Sequence, residues 1–244
     1  MEQQYEITLH EVELSNWWSR GRQDAILKIL SSYPRHIKIL DIGCSSGALL
    51  HELSLRGFTS LAGIDISARA VEAAKRRGFQ DVKEVKAEAT GFPDNSFDVV
   101  IASDILEHVK DDESALREWL RILKPGGDLI LFVPAFPFLW SGHDVVLHHQ
   151  RRYLRKPLAA ILTKSGFEVK KNFYWDFLLF FPKAIGGILN RLFKSKKKPE
   201  VQHLVSGPIN WFLTRLLLLE NYLLFKIGIR YPVGVSIGII AKKK

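Results

Sequence analysis

The sequence predicts an α/β fold with seven strands in one mostly parallel sheet, helices on both faces and a helical insert before the last strand. From residue 36 to about residue 134, apolar runs of strand length alternate with helical patterns, which is typical of a parallel sheet. Two more apolar runs, at residues 166–173 and 234–241, predict the sixth and seventh strands. Nearly sixty residues separate these two runs, and so long a connection predicts structure of its own.

Composition indicates a single globular domain. The chain has 244 residues, 47% of them hydrophobic and 25% charged. Its formal net charge of +9 favours anionic partners, either nucleic acid or lipid headgroups. The single cysteine, Cys44, excludes an internal disulfide and a cysteine-rich metal site, and it fits a cytoplasmic location. The N-terminus is polar and has no signal-peptide pattern.

A glycine-rich turn follows the first predicted strand. The apolar run at residues 37–42 ends at Gly43, and Ala48 then opens a helix whose N–H groups point into the turn. A dinucleotide site needs three glycines, because a pyrophosphate approaches the backbone closely. Here Ser45 and Ala48 occupy the second and third positions, which argues against NAD and FAD. The second predicted strand ends in Asp65, at the place where such folds hold a ribose diol.

The predicted insert is apolar and basic. Residues 177–198 combine Phe, Leu and Ile with several Lys and Arg residues, and residues 211–227 form a Leu-rich helical candidate. One interpretation is two helices packed on the fold beside a solvated lysine loop. The other is an amphipathic surface at 177–198 that docks on an anionic bilayer, at about 1 kcal/mol per basic residue. The Leu-rich helix equally suits a homodimer interface.

Five motifs agree in order and spacing with one known family. They are DIGCSSG at residues 41–47, GIDIS at 63–67, FPDNSFDVV at 92–100, DILEHV at 104–109 and LKPGG at 123–127. On these motifs, residues 36–135 resemble the class I S-adenosylmethionine-dependent methyltransferases. The resemblance implies a Rossmann-like sheet whose last two strands pair antiparallel at one edge. It also implies S-adenosyl-L-methionine as the cofactor.

The same resemblance implies a cofactor site at the carboxyl ends of the strands. The residues it assigns are Asp41, Gly43, Cys44, Gly47, Asp65, Ile66, Ala87, Glu88 and Ser103. Asp65 would take the ribose hydroxyls, and Ala87 and Glu88 would lie along the adenine. The chain departs from the family at Ser45, where a Gly is usual, and at Lys86, where many relatives have Asp. For the Cys44 side chain, we expect a small packed residue rather than a reactive thiol.

The resemblance also suggests how the single domain is organised. We expect a helical lid at residues 1–34, a cofactor-binding core with its substrate loop at 35–175, the apolar and basic insert at 176–232, and the last strand with a basic tail at 233–244. A helix that packs its paired tryptophans on the sheet edge is the alternative interpretation of the first segment.

The acceptor site must come from the second half of the chain. Residues 149–153, His-Gln-Arg-Arg-Tyr, resemble the H-x-R-R-Y segment of a bacterial methyltransferase subgroup linked to cell-envelope glycan or lipid pathways. We predict His149 as general base, since an unperturbed imidazole has a pKa of about 6.5. Asp144 would orient His149 or act itself. Arg152 would bind a phosphate or carboxylate of the acceptor, and Tyr153 would hydrogen-bond a hydroxyl. A polar loop whose His and Arg pair locally is the alternative.

These residues favour O-methylation of a small-molecule, glycan-linked or lipid-linked acceptor, because a hydroxyl needs a base. The amino-methylating signature N/D-P-P-Y/F is absent after the fourth strand, which counts against methylation of nucleic-acid bases. Two alternatives stay open: an RNA methyltransferase, suggested only by net charge, and a non-catalytic cofactor-binding or membrane-recruitment protein. We expect a cytoplasmic protein, peripheral at the inner membrane face, with no metal.

Overall fold

The computed structural model describes residues 13, 15–192 and 205–244, which divide into two compact units. The sheet unit comprises residues 32–133, 155–172 and 238–244, and the helical unit comprises residues 1–31, 134–154 and 173–237. Residues 1–12 of the predicted lid and the lysine run at 194–198 lie outside the described residues. The fourfold division of one domain expected from the sequence stays a prediction.

One seven-stranded sheet runs through the sheet unit in the order β3-β2-β1-β4-β5-β7-β6. The strands are β1 (Lys38–Ile42), β2 (Ser60–Asp65), β3 (Val82–Glu84), β4 (Phe97–Ser103), β5 (Leu123–Pro134), β6 (Phe167–Trp175) and β7 (Ser236–Lys243). Strands β3, β2, β1, β4 and β5 pair in parallel, and β7 is antiparallel. Helices flank the sheet, so the fold predicted from the sequence is confirmed.

Eight α-helices have described bounds. Those of the sheet unit are α2 (Ala48–Leu55), α3 (Ala68–Arg76), α4 (Asp112–Ile122) and α6 (Arg155–Lys164). Those of the helical unit are α1 (Trp17–Ile29), α5 (Gly142–Val146), α7 (Phe180–Leu192) and α8 (Gly207–Tyr222). Side-chain caps begin α1, α3 and α4: Asn16 accepts the Trp18 N–H, Ser67 accepts the Ala70 N–H, and Asp111 accepts the Ser114 N–H.

The central strands form the core of the sheet unit. Every side chain of β1 from Ile39 to Ile42 is buried, as are Val99, Val100 and Ile101 of β4. Strands covered on both faces read as continuous apolar runs, which is why the sequence located them. Each fully buried aliphatic side chain stabilises the fold by roughly 1.5–3 kcal/mol.

The junction between α4 and β5 differs from the sequence prediction. The sequence alone favours a helix that ends at Lys124 and a strand that starts at Leu129, because Pro125-Gly126-Gly127 is a pattern that typically stops a helix. In the structure the strand begins directly after the helix, at Leu123, and includes that tripeptide. The pairing passes from Phe97↔Leu123 to Val99↔Asp128, so β5 carries extra residues in a bulge. Gly126 adopts a φ of 76° there, a conformation that glycine tolerates.

In the helical unit, α1 packs along α8 at close range. A Cβ on Gly21 would lie 2.5 Å from the Leu217 side chain, so only glycine permits this approach. Asn221 of α8 donates to the Gly21 carbonyl at 2.8 Å and to Asp24 at 2.9 Å. At the other end, Asn210 accepts the Trp17 N–H at 2.8 Å. Among the described residues, no helix is long and apolar enough to span a membrane.

Candidate cofactor and catalytic site

The turn between β1 and α2 has the geometry of a close-approach loop. Gly43 and Gly47 have φ values of 73° and 79°, and Ser45 shares the left-handed region at 48°. The N–H groups of Gly43 and Cys44 both donate to the Ile64 carbonyl, at 2.8 and 3.0 Å. A Cβ on Gly43 would collide with Ile105. Gly43 is therefore required by close packing against Ile105, in a left-handed conformation that glycine adopts without strain.

Asp65, at the carboxyl end of β2, holds the turn in place. One carboxylate oxygen accepts the Ser45 N–H and the other accepts the Ser67 N–H, both at 2.9 Å. Asp65 thus links the glycine-rich turn to the start of α3, a role that the sequence did not reveal.

The residues predicted along the nucleoside lie at strand ends of the sheet unit. Ile66 is 71% exposed directly after Asp65, an unusual position for a large apolar side chain. The Ala87 carbonyl is fixed by the Trp119 indole N–H at 2.8 Å, and Glu88 is exposed. The structure therefore presents an apolar side chain, an anchored backbone segment and a carboxylate in this region.

The other predicted cofactor residues are less exposed. Asp41 is buried on β1, and Ser103 donates to Asp104 at 2.9 Å at the end of β4. Cys44 is 2% exposed and packs against Gly63, where an added Cβ would meet its sulfur at 2.7 Å. The Cys44 side chain is thus a packed core residue, and only its backbone faces the turn.

In the helical unit, His149 and Asp144 form a buried pair. The His149 Nδ1 lies 2.9 Å from the Asp144 carboxylate, and the two side chains are 6% and 0% exposed. The His149 backbone N–H also donates to the Asp144 carbonyl at 2.9 Å. An ionised carboxylate can only accept, so Nδ1 carries the hydrogen and Nε2 is the basic nitrogen of the neutral ring.

Arg152 completes this cluster with a bidentate ion pair. Its Nε and Nη2 donate to the two oxygens of Asp144 at 2.7 and 3.0 Å, and its Nη1 donates to the Ala135 carbonyl at 3.1 Å. Burial by itself would raise the pKa of Asp144, but the hydrogen bonds from His149 and Arg152 hold that pKa well below its usual range. Three of the five guanidinium N–H groups thus bond within the protein, and the binding of an acceptor anion by Arg152 stays a prediction.

Tyr153 is fastened to the end of β5. Its N–H donates to the Pro134 carbonyl and its carbonyl accepts the Phe136 N–H, at 2.9 and 2.8 Å. Phe136 has a φ of 57°, which is rare for a bulky residue and is found mostly where surrounding structure enforces it. Its ring stacks on Tyr174 at 5.2 Å and meets Phe180 at 5.6 Å. An aromatic cluster thus follows β5 in the helical unit.

Comparison with known proteins agrees with this geometry. Residues 40–131 match the family described as "Methyltransferase domain". The ubiquinone biosynthesis O-methyltransferase of Pseudomonas aeruginosa is 33% identical over 153 residues, which cover 54% of this chain and 65% of that protein. The ubiquinone/menaquinone biosynthesis C-methyltransferase UbiE of Shewanella sediminis is 35% identical over 139 residues, which cover 53% of this chain and 52% of that protein.

Over this range the chain is similar to the class I methyltransferases. A methyltransferase structure from Thermotoga maritima shares the fold, with a TM-score of 0.61 and 21% identity across 100% of both chains. The chain spans less than two thirds of the length of the curated relatives it matches. The family resemblance predicted from the five motifs is confirmed.

The methyl donor of this family is S-adenosyl-L-methionine, and the sheet unit fits it. The glycine-rich turn lies at the carboxyl end of β1, and Asp65 places a carboxylate beside it at the end of β2. Exposed Ile66 offers an apolar surface for a nucleobase. The assignment of each of these residues to the methyltransferase's cofactor stays a prediction.

Two buried acids of the methyltransferase were not predicted as functional groups. Asp176 and Glu220 are 1% and 2% exposed in the helical unit. Glu220 accepts the Leu178 N–H at 2.9 Å, whereas the Asp176 carboxylate has no bond of ordinary geometry to any described residue. Burial raises the pKa of Asp176 to about 6 and the pKa of Glu220 to about 7. The positive charges of Lys183 and Arg22 lower the pKa of Asp176, but their effect is smaller than that of burial. In the sequence, Glu220 is marked only by being an acid inside a Leu-rich helical segment.

Proposed function

We propose that this protein transfers a methyl group from S-adenosyl-L-methionine to a hydroxyl oxygen of a small-molecule, glycan-linked or lipid-linked acceptor. The buried hydrogen bond between His149 and Asp144 is the observation that carries the proposal. A hydroxyl is a poor nucleophile until a base removes its proton, and an oriented imidazole is suited to that task near neutral pH.

Each member of the cluster has a distinct part in this reaction. The cofactor, when bound, supplies an electrophilic methyl group. His149 would take the hydroxyl proton at Nε2, while Asp144 holds the ring by Nδ1 and stabilises the imidazolium that forms. Arg152 acts as a positioning residue, because it fixes both oxygens of Asp144. Tyr153 would hydrogen-bond the acceptor hydroxyl, as the sequence predicted.

The aromatic cluster after β5 supports an acceptor with an apolar part. Phe136, Phe138, Tyr174 and Phe180 lie within ring-stacking distance of one another in the helical unit. Phe138 is 42% exposed, so the cluster reaches the surface. Relatives named for ubiquinone biosynthesis support a hydrophobic acceptor for this chain as well.

Exposed apolar side chains at the start of the insert support the lipid-linked form of the acceptor. Leu178, Phe181 and Ile185 are each more than 40% exposed, and Lys183 lies among them. We therefore keep the proposal that residues 177–198 meet an anionic membrane surface from the cytoplasmic side. Within this range, residues 193–198 lie outside the described part of the chain.

The test uses purified protein and S-adenosyl-L-methionine radiolabelled in the methyl group. Three acceptor preparations are compared: a bacterial cell-envelope lipid extract, a polar small-molecule extract and total RNA. Label in the lipid or polar fraction that is lost in His149→Gln, with unchanged cofactor affinity, supports the proposal. Label in RNA favours the RNA alternative. Cofactor binding with no transfer to any preparation favours a non-catalytic role.

A further inference from the structure

Helix α8 buries polar residues and exposes apolar ones. Its buried residues are Thr214, Leu217, Glu220 and Asn221, three of which are polar. Its outward residues Trp211, Phe212, Leu219 and Tyr222 are 61%, 57%, 54% and 50% exposed. A surface helix normally shows the reverse pattern, with charged side chains facing water. Apolar exposure on this scale indicates an interaction surface.

The exposed residues form one stripe along the helix. Trp211, Arg215, Leu219 and Tyr222 follow one another at spacings of four, four and three residues, so they share a face. Phe212 and Ile209 border this stripe and are also exposed. Together these six residues form the outer face of α8. Its single charged member, Arg215, lies over the Trp211 ring at 5.6 Å.

The polar residues of α8 are used to fasten the helix inside its own unit. Asn221 accepts the Trp175 indole N–H at 2.7 Å and donates to the Gly21 carbonyl at 2.8 Å. Glu220 accepts the Leu178 N–H at 2.9 Å. These bonds set the rotation of α8 about its axis. The outward direction of the aromatic residues is therefore built into the fold.

The charge around the outer face has one sign. Within residues 205–230 the exposed charged side chains are Arg215, Lys226 and Arg230, and the single acid of that range, Glu220, is buried. In the sequence, residues 183–204 add six Lys or Arg and one acid, Glu200; residues 193–204 of this range lie outside the described part of the chain. Apolar side chains, including Trp and Tyr, bordered by cations are complementary to the headgroup region of an anionic bilayer.

We infer that the outer face of α8 docks on the surface of an anionic lipid bilayer, with the helix axis along the membrane. One face of α8 stays packed on α1, so the helix would lie in the headgroup region rather than cross it. A second copy of the chain is a poorer occupant. A two-fold interface through this face would bring like-charged Arg215, Lys226 and Arg230 of both copies together.

This inference extends the membrane proposal from residues 177–198 to a helix of defined orientation. It is independent of methyl transfer, so either proposal can fail alone. A protein that binds vesicles without catalysis would retain this inference and lose the proposed function.

The experiment is flotation of the full-length protein with vesicles of phosphatidylcholine alone or with added phosphatidylglycerol. The test variant is Trp211→Gln/Phe212→Gln/Leu219→Gln, which keeps every charge. The matched control is Leu55→Gln on α2, since Leu55 is 65% exposed in the sheet unit. We expect at least about tenfold weaker vesicle binding in the triple variant, because burying one such side chain is worth about tenfold or more. Leu55→Gln should bind like the wild type.

Two variants that each remove one positive charge test the contact with the lipid headgroups. Arg215→Gln should weaken binding to phosphatidylglycerol vesicles about fivefold. Arg76→Gln, which removes an exposed cation from α3, should leave it unchanged. Vesicles with brominated acyl chains should quench wild-type fluorescence more than that of Trp211→Phe. Affinity for S-adenosylhomocysteine, measured by calorimetry, checks that each variant is folded.

Three results would overturn the inference. The first is a wild type that binds neither kind of vesicle. The triple variant could bind as tightly as the wild type, which would assign vesicle binding to net charge alone. A monomer–dimer equilibrium abolished by the triple variant, without vesicle binding, would assign the outer face to a second copy of the chain.

Discussion

Asp144 and His149 form a hydrogen bond of 2.9 Å between side chains that are almost completely buried. The hydrogen bonds from His149 and Arg152 keep the carboxylate ionised, so it accepts a hydrogen bond from the Nδ1–H of His149. Asp144 also receives the Ser141 N–H at 2.7 Å, which closes the first turn of the short helix α5. One carboxylate therefore fixes the imidazole tautomer and the local backbone together.

Replacement of His149 by Gln should abolish most methyl transfer without loss of the cofactor. A positioned general base contributes about 100- to 10,000-fold in rate, and Gln cannot take a proton. We expect an initial rate lower by at least about 100-fold, and an unchanged dissociation constant for S-adenosylhomocysteine. His36→Gln is the control, because His36 is exposed in the sheet unit. A His149→Gln enzyme at full rate would remove His149 from the mechanism.

Loss of Arg152 should destabilise the helical unit as well as slow the reaction. In Arg152→Met the ionised Asp144 would be buried without its bidentate partner, and breaking such a pair costs roughly 3–5 kcal/mol. We expect a fall of about 3 kcal/mol in the free energy of unfolding, measured with urea. Lys164→Met breaks the ion pair with Glu113, in which Lys164 is 71% exposed, and should change stability little. Equal stabilities of the two variants would contradict the positioning role.

Asp65→Ala should weaken cofactor binding strongly. The change removes a carboxylate suited to two ribose hydroxyls, and it frees the Ser45 and Ser67 N–H groups that shape the turn. Hydrogen bonds to a charged group contribute about 1.5–3 kcal/mol each, so we expect a loss of roughly 30- to 100-fold or more in affinity. Calorimetric titration of S-adenosylhomocysteine measures it. Glu72→Ala, an exposed carboxylate on α3, is the charge-matched control.

The sheet could be predicted because its signals are local. The strands β1 and β4 are buried on both faces and appear as apolar runs, and the turn at Gly43 is a short pattern of glycines. The boundary at Leu123 was misplaced, because Pro and Gly break a helix but are tolerated in a bulged strand. Elements were thus easier to find than their ends.

The candidate catalytic site could be predicted only in part, because partners are chosen in three dimensions. The sequence singled out Asp144, His149 and Arg152, yet spacing does not reveal that Arg152 donates to Asp144 rather than to a ligand. Partners that lie far apart along the chain are harder still to predict: Asn221 donates to the carbonyl of Gly21, 200 residues away. The inverted pattern of α8 follows from such bonds and could not be read from its Leu-rich sequence.

Glu220 should make the methyltransferase less stable as the pH rises. Burial raises its pKa from 4.5 to about 7, so the folded state binds a proton that the unfolded state releases. This contribution to stability is fully present below pH 4.5 and is lost as the pH rises through about 7. Glu220→Gln keeps an acceptor for the Leu178 N–H and carries no charge. The variant should therefore match the wild type in acid and exceed its free energy of unfolding by on the order of 2–3 kcal/mol above pH 7.

The matched comparison is an acid whose pKa moves the other way. Glu118 is also subject to desolvation, which would raise its pKa, but Arg121 and Thr90 lower it. Its contribution is therefore present above the unfolded pKa and lost as the pH falls, so Glu118→Gln should destabilise the protein at neutral pH and not in acid. Urea denaturation from about pH 3 to about pH 8 separates the two cases. A Glu220→Gln profile parallel to that of the wild type across this range would show that the pKa of Glu220 is the same in the folded and unfolded protein.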